Sequence, residues 1–94
     1  SEIEEAALAT GLAREAACVI VPDEHGFERL ALFLVPTEGT ADVAARTQQA
    51  IARQLHRHRH PKWVREIPEL PRTPSGKVQR FRLREQLLAE LNPP

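Results

Sequence analysis

Two short apolar runs, each closed by a proline, constrain this chain more than any other feature. Ala16-Ala17-Cys18-Val19-Ile20-Val21 ends at Pro22, and Leu30-Ala31-Leu32-Phe33-Leu34-Val35 ends at Pro36. Runs of this length and composition read as buried strands. The segment between them, Pro22-Asp23-Glu24-His25-Gly26, is rich in turn formers, so the two strands are expected to pair antiparallel. No apolar run approaches the roughly 20 residues of a membrane span. The opening Ser1-Glu2-Ile3-Glu4-Glu5 has neither the basic segment nor the apolar stretch of a secretory signal.

Helices are expected on either side of the pair. Ser1 is a candidate N-cap with Glu4 three positions on, a capping-box arrangement. Ile3, Ala7 and Leu8 supply an apolar face, and Gly11 a stop. Asp42 is expected to cap a second helix, in which Val43, Thr47, Ile51 and Leu55 recur every four residues. That helix is expected to run to about His60, because Pro61 disfavours helical geometry in the residue before it. Trp63-Val64-Arg65-Glu66-Ile67 reads as a third strand. Val78, Phe81 or Arg82, Leu83 and Leu87 mark a closing amphipathic helix. The expected fold is α+β, a small three-stranded sheet flanked by helices in the order α-β-β-α-β-α. Ninety-four residues make one small domain, 1–94.

The net charge of zero conceals an asymmetry. Residues 1–52 hold nine acids and three bases, whereas residues 53–84 hold ten bases and two acids. A basic half could attract nucleic acid or a small phosphate-rich molecule. With only three Phe and one Trp, no alternating basic and aromatic stripe exists for stacking bases, so nucleic acid is the weaker reading. Cys18 is the only cysteine, so no internal disulfide forms; it reads as a small core residue in a reducing, cytoplasmic setting.

The chemistry concentrates in Pro71-Arg72-Thr73-Pro74-Ser75-Gly76-Lys77-Val78-Gln79-Arg80. Two prolines and a glycine stiffen and sharpen this loop, and a compact cation follows directly. Of the 13 basic residues only Lys62 and Lys77 are lysines. No Walker A spacing is present, since Val78 follows the lysine. Thr73 and Ser75 are expected to bond the turn's own backbone. Arg72 and Arg80 read as surface partners for acids.

This string, with Phe81-Arg82-Leu83-Arg84-Glu85 after it, resembles the terminal signature of AMP-forming acyl- and aryl-CoA synthetases of the adenylate-forming superfamily. The ending is most similar to benzoate-CoA ligases. The resemblance extends over essentially the whole chain, through Ser1 to Ala6, Val21 to Gly26, Leu30 to Val35 and Trp63 to Pro71. It implies the small C-terminal lid domain of such an enzyme, with Lys77 as the catalytic lysine of adenylation. Thr73, Ser75 and Gly76 would support that lysine. ATP and CoA are then the substrates, and Mg2+ is expected in the parent enzyme. The phosphate loop, adenine site and acid pocket would belong to a large N-terminal domain, the partner of this one, and the isolated lid is expected to be inactive. Relatives of this kind are switched by lysine acetyltransferases and deacylases, so Lys77 is also a candidate acetylation site.

Leu55-His56-Arg57-His58-Arg59-His60-Pro61-Lys62-Trp63 resembles the family segment beside the CoA nucleotide. Arg59 and Lys62 are its candidate phosphate contacts. His58 stands where the family carries an aromatic residue. The alternative is a solvated helix end whose cations suit the macrodipole. As a metal site the histidines are incomplete: His56 and His60 would share a helical face, but no Cys or Asp joins them. No metal is expected there. Asp23, Glu24 and His25 read as turn formers, and no Ser-His-Asp arrangement is legible.

Overall fold

The computed structural model describes residues 1–94. Helix α1 spans Glu2–Ala9, strand β1 Ala13–Pro22 and strand β2 Glu28–Pro36. Helix α2 spans Val43–Gln54, strand β3 Trp63–Glu66 and helix α3 Arg80–Leu91, with one 3-10 turn at Arg57–Arg59 before β3. The expected order and sheet are observed. The strands lie β1-β2-β3, with β1 and β2 antiparallel and β2 and β3 parallel. Parallel neighbours need a crossover, and α2 supplies it.

Strand β2 is the centre of the molecule. Ala31, Leu32, Phe33, Leu34 and Val35 are all buried, because each face of the sheet is covered. Phe33 and Val35 point towards α3, where they meet Trp63, Ile67, Leu83 and Leu87. Leu32 and Leu34 point the other way, to Ile3 and Ala7 of α1 and Val43 and Ile51 of α2. The result is three layers: α1 and α2, the sheet, and α3.

Several local expectations are corrected. Helix α2 stops at Gln54 rather than near His60, because Leu55 is extended at φ −111°, ψ 152°. The Leu55 carbonyl, which a continuing helix would pair with a backbone N–H, is instead 2.7 Å from the His60 ring nitrogen Nε2. His56 and His60 therefore never share a helical face. Asp42 adopts the left-handed region at φ 54° and makes no side-chain cap. The start of α2 is held by Glu66 at the end of β3, whose Oε2 accepts the Ala44 N–H at 3.1 Å. Such a carboxylate satisfies an orphan N–H and complements the helix dipole, the work expected of Asp42.

Ser1 does cap α1, accepting the Glu4 N–H at 3.2 Å. The Glu4 carboxylate keeps one oxygen 3.8 Å from the Ser1 nitrogen, while the other accepts the Cys18 N–H at 2.7 Å. Cys18 itself is half-buried at the margin of the α1 face rather than in the core. Burial, aided by the negative Glu4, pushes its thiol up to about 11, so it is held protonated.

Candidate functional site

The proline-rich segment forms a narrow, cross-linked hairpin. Pro71 accepts the Gln79 N–H at 2.8 Å, Arg72 and Val78 form an isolated antiparallel bridge, and the Thr73 N–H reaches the Lys77 carbonyl at 2.8 Å. The tip closes where the Gly76 N–H donates to the Thr73 carbonyl at 2.9 Å. Gly76 sits at φ +94°, a conformation that L side chains rarely adopt, which explains a glycine immediately before the lysine. Both ends are anchored in the α3 layer: Leu70 is buried in that core, and Val78 packs against it.

Side chains brace the tip. The Thr73 hydroxyl accepts the Lys77 N–H at 3.1 Å and lies 3.0 Å from the Ser75 hydroxyl. Thr73 thus bonds the loop's own backbone as expected, with Ser75 joined to it through its hydroxyl. Arg72 donates through Nη1 to the Gly76 carbonyl at 2.7 Å and through Nη2 to Glu15 at 2.5 Å. Arg80 likewise meets an acid, Glu4, at 3.0 Å. Both arginines are surface partners for acids, as their sequence context suggests.

Lys77 is the contrast. Its side chain is exposed, and none of the ion pairs in the molecule uses it. The other lysine, Lys62, is engaged: its ammonium lies 3.7 Å from Glu24 and 5.4 Å from the Trp63 ring centroid. An ordered backbone carrying an uncommitted ammonium can approach a phosphate or carboxylate without first breaking a local bond.

Arg59 and Lys62 do not join Lys77. Arg59 pairs with Glu2 at 3.1 Å, at the start of α1. Lys62 borders a cleft of about 160 Å³ with Asp23, Glu24, Trp63 and Leu91, just beyond the C-terminal end of β1. The lysine loop is tied to Glu15, near the start of the same strand. At about 3.3 Å per residue the two basic features stand roughly 25 Å apart along β1. His58 stacks on His56, with ring centroids 4.2 Å apart. No three His, Cys, Asp or Glu side chains converge in the structure. A separate groove of about 350 Å³ lies over Ile3, Val19, Ile20 and Leu30, with Arg80 and Arg84 at its side. Neither this groove nor the Glu15 brace was legible from motifs.

A three-layer α+β domain that presents one free lysine on a braced hairpin is the class this geometry defines. Residues 2–77 match the AMP-binding enzyme C-terminal domain, and the chain belongs to that family. It is 41% identical over 92 residues to a 3-hydroxybenzoate–CoA ligase of Aromatoleum sp. (strain CIB), covering 95% of this chain and 18% of that protein. It is 42% identical over 82 residues to a sulfoacetate–CoA ligase of Cupriavidus necator, covering 87% of this chain and 16% of that one. The crystal structure of a Brucella canis acyl-CoA synthetase superposes with a TM-score of 0.82 at 34% identity, over 97% of this chain and 17% of that one. The chain thus spans less than a fifth of the length of these relatives.

Proposed function

We propose that this chain is the lid of an AMP-forming acid–CoA ligase and that Lys77 is its adenylating lysine. The unpaired Lys77 ammonium on a hairpin braced by backbone and side-chain hydrogen bonds is the observation that carries this reading. In adenylation, a carboxylate oxygen attacks the α-phosphorus of ATP, the bond to the pyrophosphate oxygen breaks, and pyrophosphate leaves with its electron pair. Two anions must meet, and negative charge grows on the phosphoryl oxygens. An ammonium held ready between them stabilises that arrangement more than the separated reactants. Thr73 and Gly76 fix the backbone from which the ammonium reaches, and Ser75 holds the Thr73 hydroxyl.

The second half-reaction joins the CoA sulfur to the acyl carbon and releases AMP. The basic features near Arg59 and Lys62 stand well away from the lysine hairpin, which suits a domain that turns a different face to the reaction for each half. Arg59 and Lys62 are then the CoA phosphate contacts, exchanging Glu2 and Glu24 for phosphate oxygens. Mg2+ would arrive with the ATP phosphates. The partner is the large N-terminal domain that carries the nucleotide and acid sites, and the 94 residues alone are expected to leave ATP and acid unreacted. Aromatic acids of the benzoate class are the first substrates to try, and the cytoplasm, where ATP and CoA are held, is the proposed location.

A second reading shares the residue. Lys77 is exposed and free, whereas Lys62 is held at Glu24 and Trp63. Acetylation of Lys77 would remove its charge and stop adenylation, making the domain a substrate for a lysine acetyltransferase and a deacetylase. Mass spectrometry after treatment with an acetyltransferase and acetyl-CoA tests this, and modification confined to Lys62 would contradict it. For the main reading the test is an acid screen on the full-length protein, with pyrophosphate release expected only with ATP and a cognate carboxylic acid. No release with any acid, or equal release without one, would contradict it.

A further inference from the structure

Strand β1 departs from regular pairing at one place, where the register with β2 shifts between Ala13 and Glu15. An extra residue of this kind re-aims the side chain beside it. Here that side chain is Glu15, whose carboxylate meets Arg14 at 3.2 Å and Arg72 at 2.5 Å. Arg72 uses its other arm on the Gly76 carbonyl at 2.7 Å. That carbonyl belongs to the peptide group joining Gly76 to Lys77. The N–H of the same peptide group donates to Thr73 at 3.1 Å. The peptide plane that carries Lys77 is therefore held at both its oxygen and its hydrogen. One of those holds runs through Arg72 to the sheet.

This arrangement bears on orientation more than on stability. The Arg72 and Glu15 side chains are 43% and 24% exposed, and ion pairs so open to solvent contribute little to folding. Gly76, by contrast, has the widest backbone freedom of any residue type, so the plane next to it would swing without an external hold. A planar guanidinium can grip a carboxylate and a carbonyl together in a fixed fork, which a single ammonium cannot reproduce.

We propose that Glu15 and Arg72 are positioning residues for Lys77, acting through the Gly76 carbonyl to aim the lysine during adenylation. The proposal rests on the reading of Lys77 as the adenylating cation. Neither residue touches the reacting atoms. Glu15 orients Arg72, Arg72 orients the Gly76–Lys77 peptide, and that peptide orients the ammonium.

The test uses the full-length protein with Arg72→Ala, Arg72→Lys, Glu15→Gln and the Glu15→Gln/Arg72→Ala double variant, beside Lys77→Ala. Pyrophosphate release, thioester formation from preformed acyl-adenylate, and amide exchange over residues 73–78 are measured on each. Arg72→Ala is expected to slow adenylation by roughly 10- to 100-fold, the usual scale for residues that orient a working group. Arg72→Lys should fall nearly as far, because the fork is lost although the charge remains. Glu15→Gln should fall less, and the double variant should be no worse than Arg72→Ala alone, since one chain of contacts is broken once. Thioester formation should stay within about twofold, and exchange at 73–78 should quicken with little change in melting temperature. Wild-type adenylation in both Arg72 variants, with Lys77→Ala inactive, would overturn the brace. Were Lys77→Ala itself to adenylate normally, the reading of Lys77 would fall instead. Amide exchange would then decide the brace alone, and unchanged exchange in Arg72→Ala would overturn it.

Discussion

The Arg80 guanidinium lies 3.0 Å from the Glu4 carboxylate, joining residues 76 positions apart at the margin of the sheet. The same carboxylate oxygen accepts the Cys18 N–H at 2.7 Å, and Arg80 also donates to the Cys18 carbonyl at 3.3 Å. Glu4 and Arg80 thereby occupy the polar backbone groups of Cys18 on β1, an edge strand, and tie α1 to the start of α3.

Burial opposes ionisation of Glu4, but the Cys18 N–H and the Arg80 guanidinium outweigh it and hold the carboxyl below its usual range. A carboxylate with a depressed value in the folded state stabilises the protein above its unfolded value, near 4.5. That contribution is lost as pH falls through the lower folded value. Glu4→Gln is expected to cost about 1–2 kcal/mol at pH 7, the scale of a charged hydrogen bond with a half-exposed partner. Urea unfolding at pH 7 and at pH 3 checks this: the gap between wild type and variant should narrow at pH 3. A gap independent of pH would remove Glu4 from this role.

Thr47 faces the core of the α1–α2 side with no exposed surface, and its hydroxyl has no hydrogen-bond partner. Valine has nearly the same shape without the hydroxyl. Thr47→Val should therefore raise unfolding free energy by about 1 kcal/mol, since an unsatisfied buried hydroxyl is lost. Denaturant titration would expose a fall in stability, which would mean the hydroxyl is satisfied in solution.

Helix α3 buries Leu83 and Leu87 completely while Phe81 remains half exposed. Leu83→Ala should cost about 2–5 kcal/mol, whereas Phe81→Ala should change stability by no more than about 0.5 kcal/mol. Thermal or urea unfolding of the two variants, compared side by side, reads the difference. Equal effects would mean that α3 is rotated from the orientation described.

Gly76 has open space where a Cβ would stand, so its constraint is the backbone alone. Gly76→Ala should cost about 1–2 kcal/mol through the strained φ rather than through a clash. Loss of adenylation in this variant should exceed its loss of thioester formation, which parallel assays of the two half-reactions would register. Equal losses in both would place the strain outside the step that uses the loop.

Legibility in the sequence followed how local the signal was. The proline-closed apolar runs identified β1 and β2 because buried strands carry continuous hydrophobicity, and the Pro-Ser-Gly-Lys string marked the hairpin because its geometry is written in its own residues. Parallel pairing of β3 depended on how a crossover packs, which no short window encodes. The end of α2 was misplaced because Leu55 turns extended and its carbonyl meets the His60 ring, a contact that the Pro61 signal does not encode. The Asp42 cap failed for a similar reason, since Glu66 reaches the helix start from 22 residues away. Glu15 was invisible as a contributor to the site because its partner, Arg72, is 57 residues distant.

The central claim is tested most directly by Lys77→Ala in the full-length protein, with the two half-reactions measured separately. Adenylation should fall by roughly 10²–10³-fold, the scale of removing one preorganised donor from a charged transition state. Thioester formation from preformed acyl-adenylate should be nearly unchanged. Normal pyrophosphate release from this variant, or an equal fall in both steps, would contradict the account.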